Sequence, residues 1–229
     1  MDFAAILFAV SVWALPVLVA ITLHEAAHGW MAAKLGDDTA LRMGRVSFNP
    51  LRHIDPVGTI LLPAMLLIVS GGQIGFGYAK PVPVNFARLD NPRLGMIAVA
   101  AAGPGINFLL AVAAALLIHV ADYVPEIIEP WLVANLVNAV LINLLIALFN
   151  LLPIPPLDGG RILVGVLPRG PAIALARMER WGLLIILGAV FILPMIGSRL
   201  GIPLDPFRWL VGGPVDFLAE LLFRLTGHG

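Results

Sequence analysis

The chain contains no cysteine. That excludes disulfides, thiol nucleophiles and sulfur ligands, so any metal must be held by nitrogen and oxygen. Charge is scarce as well: Asp, Glu, Lys and Arg make up 12% of the residues, against roughly 25% in a soluble domain. The formal net charge is zero, so no basic surplus points to nucleic acid. Only Met1-Asp2 precedes the first apolar stretch, which therefore lacks the basic lead of a cleaved signal peptide. No repeat, inserted soluble domain or long linker interrupts the pattern, and residues 1–229 are expected to form a single intramembrane domain.

What is present is apolar: 60% of residues are hydrophobic and mean hydropathy is +0.97. The expected fold is an all-α polytopic membrane protein with about five to six hydrophobic segments. Residues 3–34, 94–120, 131–152 and 181–197 read as spans; the amphipathic tail 206–226 suits the interface, and whether 198–229 crosses, lies on the surface or folds back over the site is left open by the sequence. Residues 57–70 are too short: fourteen helical residues reach about 21 Å, less than the roughly 30 Å hydrocarbon core.

Loop charge sets the orientation. Arg42, Arg45 and Arg52 crowd 35–56, and Arg161, Arg169, Arg177 and Arg180 crowd 157–180. Residues 121–130 carry Asp122, Glu126 and Glu129 with no cation. The basic loops belong in the cytoplasm and the acidic one outside. That parity fails if 57–70 crosses fully. A re-entrant, helix and β-hairpin-like element over 57–79, returning through the Gly-, Pro- and Val-rich QIGFGYAKPVPVNF, restores it; the alternative is an ordinary extra span with a basic outer loop.

Against this apolar background HEAAH, residues 24–28, stands out. His24 and His28 lie one helical turn apart on one face, as two ligands of one metal require. Glu25 is placed to act as general base beside them, the HExxH arrangement of zinc hydrolases. A catalytic zinc takes three protein ligands, and His53, His119 and His228 are poorly placed to be the third. Asp158 in NLLPIPPLDGG ends a span on the same side. It reads as the third ligand, as a helix cap or as a salt-bridge partner of Arg161. Asn135, Asn138, Asn143 and Asn150 share a helix face within about 140° of arc, suited to the bundle interior or to interhelical hydrogen bonds. Ala100, Ala101, Ala102, Gly103 and Gly105 read as small surfaces for close helix packing.

HEAAH in the first span, GPGIN at 103–107 and NLLPIPPLDGG after a later span together resemble the site-2 protease family of intramembrane zinc metalloproteases. AKPVPVN and NPLRHIDP resemble its compact branch, which lacks PDZ and CBS domains. The resemblance implies one zinc held by His24, His28 and Asp158, with Glu25 as catalytic acid/base. It implies that Asn150 steadies the oxyanion or the substrate backbone, and that 72–86 is a re-entrant β element presenting substrate. Val82, Val84 and Asn107 are the expected substrate contacts. The activity implied is cleavage of transmembrane segments of membrane proteins, in a lipid bilayer that is expected to be a prokaryotic cell membrane, with the site toward the cytoplasm. Oligomeric state is not legible. The alternative is a metal-ion transporter using His24, His28 and Asp158 as a transit site, although the paired repeats common in transporters are not found.

Overall fold

The computed structural model describes residues 3–61, 65 and 79–228. Among these residues there is no strand; helices dominate. Helix α1 (Phe3–Lys34) is followed by a single turn, α2 (Thr39–Arg42). Helix α3 (Pro92–Leu117) starts where its sequence permits: Asn91 caps it by accepting from the Leu94 N–H at 3.2 Å, and Pro92 needs no partner for the N–H it lacks. Helix α4 (Glu129–Asn150) leads through NLLPIPPLDGG to the short α5 (Asp158–Val166). Helices α6 (Arg169–Arg177), α7 (Glu179–Leu187), α8 (Leu193–Leu200) and α9 (Gly213–Leu225) complete the chain.

Helices α1, α3 and α4 pack against one another, and α5 rests on α3. The close approach follows from composition: Ala111, Ala114 and Ala115 of α3 are buried against Val140 and Leu144 of α4. Large apolar side chains point outward instead, among them Leu7, Phe8, Leu109 and Leu116. That inversion suits a lipid surround, where apolar surface needs no protein cover. Among the described residues four helices are long and apolar enough to cross a membrane: Leu7–Lys34, Pro92–Tyr123, Glu129–Asn150 and Glu179–Leu200.

The tail, whose placement hydropathy leaves open, lies against the bundle. Val211, Val215 and Ala219 join the core of α3 and α4. At one end Phe207 meets Phe149, with ring centroids 6.1 Å apart. At the other, His119 Nε2 donates to the Thr226 carbonyl at 2.6 Å and His228 Nε2 to that of Ala115 at 3.1 Å. The tail thus runs from the Asn150 end of α4 to the far end of α3. Its narrow apolar face finds the small residues of α3, which hydropathy alone does not reveal.

Three segments meet at the Lys34 end of the bundle. The Asp90 N–H donates to Leu35 O at 2.9 Å, and the Lys80 N–H to His53 O at 2.9 Å. Arg93 donates to the carbonyls of Gly165, Val166 and Leu167 at 2.5, 2.9 and 2.6 Å. The flanks of 54–79 therefore start and finish at the same end. The expected re-entrant element itself lies largely outside the described residues, at 62–64 and 66–78. Its return limb is described from Ala79 onward, and there the chain is an extended, unpaired segment rather than a strand. Fully buried Asp37 anchors this region. Burial pushes its carboxyl up, but the Thr39 hydroxyl, the N–H groups of Asn85 and Thr39, and Arg88 outweigh it and hold the group below the usual carboxylate range.

Candidate metal centre

Two helical pairs spaced i, i+4 build the site. His24 and His28 project from α1 toward α3, and Gly103 and Asn107 of α3 face them. Asp158 is delivered from a third direction, by the first turn of α5. Gly159 and Gly160 allow that delivery: a Cβ on Gly159 would sit 2.1 Å from Leu151 O, and one on Gly160 2.3 Å from Pro155 N. Only glycine lets the start of α5 press so closely on the preceding turn.

The three side chains are almost closed to solvent, with residue exposures of 5, 9 and 5%. His24 Nε2 and His28 Nε2 lie 3.0 Å apart. Asp158 Oδ2 is 3.2 Å from the first and 3.3 Å from the second. The other ring nitrogens decide what this triangle contains. His28 Nδ1 faces the Val99 carbonyl at 2.7 Å and must donate to it. His24 Nδ1 faces Asn107 Oδ1 at 2.5 Å. The Asn107 amide cannot be turned round, because its Nδ2 serves two acceptors, Asn143 Oδ1 at 2.7 Å and Ala20 O at 3.3 Å. Asn143 is fixed in turn by donating to Ala139 O at 2.8 Å. Both imidazoles, when neutral, therefore carry their proton on Nδ1.

It follows that two Nε2 lone pairs and a carboxylate oxygen converge on one buried point. Asp158 Oδ2 has no hydrogen-bond partner. Three electron-pair donors in a dry pocket repel unless a cation stands among them. A tetrahedral zinc with bonds of about 2.0–2.1 Å separates its ligand atoms by about 3.3 Å, matching the observed edges. The donor set, two nitrogens and one oxygen with a fourth direction left over, fits zinc in a catalytic rather than a structural site. Among the described residues it is the one cluster of three or more His, Cys, Asp or Glu ligands able to hold a metal.

The remaining sequence expectations fall in different places. Glu25 is half-buried and accepts from the Val82 N–H at 2.8 Å. Val82 is buried, and Val84 packs beside Ala32, Leu89 and Val99. Along 80–85 the N–H groups of Lys80, Val82 and Asn85 all turn inward, to His53, Glu25 and Asp37. Pro81 and Pro83 have none. This stretch therefore offers few donors to a pairing strand. Asn107, expected to touch substrate, is instead fully buried and spent on His24, Asn143 and Ala20. It is a positioning residue for the metal ligand. Asn150 donates to Ile146 O of its own helix at 3.0 Å with one of its two amide hydrogens. His53 is a loop anchor: buried, with Nε2 donating to Ser47 O at 3.0 Å. Arg161 approaches Glu179 at 3.8 Å and leaves Asp158 to the histidines.

Sequence reading missed the Asn143–Asn107–His24 relay and the role of Gly103. A Cβ on Gly103 would lie 2.5 Å from His28 Nε2 and 2.6 Å from His24 Nε2. GPGIN is thus a wall of the metal site, and the matching i, i+4 spacing of Gly103 and Asn107 was the available signal. Replacing Asn107 by Ala strands the His24 Nδ1–H. We expect zinc affinity to fall about 10- to 100-fold, as for other residues that orient a ligand, measured by competition with a chromophoric chelator. Unchanged affinity would remove Asn107 from the site.

Comparison with known proteins agrees. The model of peptidase family M50 matches residues 117–193. The chain is 38% identical over 182 residues to the Bacillus subtilis protein named "Putative zinc metalloprotease YwhC", covering 78% of each chain. It is 32% identical over 170 residues to "Putative zinc metalloprotease Rip2" of Mycolicibacterium smegmatis, covering 74% of this chain and 62% of the relative. The Mycobacterium tuberculosis H37Rv protein of the same name is 32% identical over 181 residues, covering 79% and 66%. No solved structure matches significantly. With three lone pairs converging between apolar helices, and relatives of this kind, the chain belongs to peptidase family M50, the site-2 protease family, and is a zinc metalloprotease.

Proposed function

We propose that this metalloprotease cleaves transmembrane segments of other membrane proteins within the bilayer. The observation that carries the reading is the position of the ligand triangle: buried among α1, α3 and α5, ten residues or about 15 Å along α1 from Lys34. Ionisable groups at such depth are costly and mark function.

His24, His28 and Asp158 would hold the zinc. Zinc bound there supplies Lewis acidity, polarising a peptide carbonyl and lowering the pKa of a water to near 7. Glu25 takes a proton from the attacking water and later passes it to the leaving amine. Asn107 and the Val99 carbonyl keep both imidazoles in the tautomer that presents Nε2. Asn150 has a second amide hydrogen to offer the developing oxyanion or the substrate backbone. Val84 and the carbonyls of the segment after Pro81 are the contacts left for an unwound substrate. Residues 57–79 enter the membrane and return on the same side, a reading supported by the hydrogen bond between the flanking residues His53 and Lys80. The site faces the cytoplasm of a prokaryotic cell membrane, a reading supported by the basic loops.

The test uses purified protein in detergent, a transmembrane-helix reporter and mass spectrometry of the products. Cleavage within the apolar segment, lost on chelation and restored by zinc, is the expected result. Cuts confined to soluble flanks, or cleavage indifferent to chelator, would overturn the reading.

A further inference from the structure

Two motifs that the metal centre does not use, in the 35–56 loop and in AKPVPVN, meet over the face of α1 that carries Glu25. The loop contributes three buried polar residues, Asp37, Arg45 and His53, with exposures of 0, 7 and 2%. All three grip the extended segment. Arg45 Nη2 donates to Lys80 O at 2.7 Å and to Pro81 O at 3.4 Å. The His53 carbonyl accepts from Lys80 N–H at 2.9 Å. Asp37 Oδ2 accepts from Asn85 N–H at 2.6 Å.

Between these anchors lies one backbone donor flanked by two prolines. Pro81 and Pro83 fix their φ near −65° and stiffen the segment. Val82 N–H donates to Glu25 Oε2 at 2.8 Å. The Val82 side chain sits on Gly29, where a Cβ would be 3.1 Å from Val82 Cγ1 and 2.8 Å from Val46 Cγ2. The glycine that ends HEAAHG thus lets loop and segment lie directly on α1, one residue after His28.

We propose that residues 80–85 form a rigid strap that aims the Glu25 carboxylate, Val82 N–H holding Oε2 so that Oε1 is left for the water, and that Arg45 and Asp37 are positioning residues that clasp the strap. This rests on Glu25 being the general base. An unrestrained glutamate samples several rotamers, and proton transfer requires it within hydrogen-bond reach of the water. The buried clasp removes that freedom without adding a second charge beside the metal. It also explains why a cytoplasm-facing loop buries an arginine whose hydrogen bonds go to backbone carbonyls rather than to a carboxylate.

The absence of cysteine provides a clean probe. Val82→Cys keeps the backbone N–H and introduces the chain's single thiol, at a position 9% exposed. Its alkylation rate by a small maleimide reports release of the strap, whatever the enzyme's activity. Full-length protein in detergent is used throughout. In this background Arg45→Ala and Glu25→Ala are expected to speed labelling by about tenfold or more. Glu25→Gln is expected to leave it unchanged, because the amide oxygen still accepts from Val82 N–H. With Val82 intact, Arg45→Ala is expected to keep one zinc per chain and to lower kcat by about 10- to 100-fold, with KM within about threefold. Arg45→Lys, which retains one donor, should recover part of that loss. Equal labelling in Glu25→Ala and Glu25→Gln would show that Glu25 does not hold the strap. A raised KM with unchanged kcat would make the segment a substrate edge instead. Loss of zinc from both Arg45→Ala and Arg45→Lys would assign the clasp to the metal site. Each of these overturns the proposal. Failure of the wild type to cleave would sink the protease reading, and the labelling comparison would still decide the strap.

Discussion

Gly103→Ala is expected to yield a folded chain that does not retain zinc. The added methyl carbon would lie 2.5 Å from His28 Nε2, 2.6 Å from His24 Nε2 and 2.6 Å from His24 Cε1. These are ring atoms with little freedom to yield. Each imidazole is pinned through Nδ1, one by Asn107 and one by the Val99 carbonyl. Relief requires turning the rings off those partners or moving α3 away from α1. Either displaces Nε2 from the triangle it forms with Asp158. Overpacking of this kind costs about 1–3 kcal/mol of stability, which a well-packed bundle survives. The metal site does not survive it, because a ligand set tolerates only a few tenths of an ångström. We expect zinc affinity to fall by about 100-fold or more and cleavage to be lost with it. Elemental analysis of the purified protein reads the first and a reporter assay the second. Gly105→Ala is the control: nothing lies within 4 Å of its added Cβ. One zinc per chain and full activity in Gly103→Ala would mean that α1 and α3 do not meet as described.

Glu25→Gln carries the other large effect, with the opposite signature. The residue is not among the three that converge, so zinc is expected to stay at one per chain. The substitution keeps size and the oxygen that accepts from Val82 N–H. It removes only the ability to take a proton. Loss of a positioned general base lowers rates by about 10²–10⁴-fold. The measurement is the cleavage rate of a transmembrane reporter beside zinc content in the same preparation. Retained zinc with lost cleavage identifies the base. A cleavage rate within a few-fold of wild type would remove Glu25 from the mechanism. The same variant separates a protease from a transporter, since a transit site built on His24, His28 and Asp158 has no need of that proton acceptor.

Several features were legible because they depend on residue type at short spacing. HEAAH announces two imidazoles on one face because a helix turns once in 3.6 residues. The long apolar runs announce spans because the bilayer has a fixed thickness. The place of Asp158 after a proline-broken helix suits a ligand, but spacing alone suits a helix cap or a salt bridge to Arg161 equally well. Residues 24 and 158 come within 3.2 Å only through the packing of α5 on α3.

The sequence by itself determined the membrane class, the metal chemistry and the placing of His24 and His28 on one helix face beside Glu25, all set by composition or by one helical turn. Tertiary structure alone decided the rest. It turned Asn107 from a substrate contact into the group that fixes the His24 tautomer, and Gly103 from a packing residue into a wall of the metal site. It laid the tail against α3 and α4, and it brought buried Arg45 and Asp37 onto the backbone of residues 80–85, over Glu25. These are contacts between residues tens of positions apart. Which face of one helix meets which face of another is set by how small residues let backbones approach, and local pattern carries no record of that.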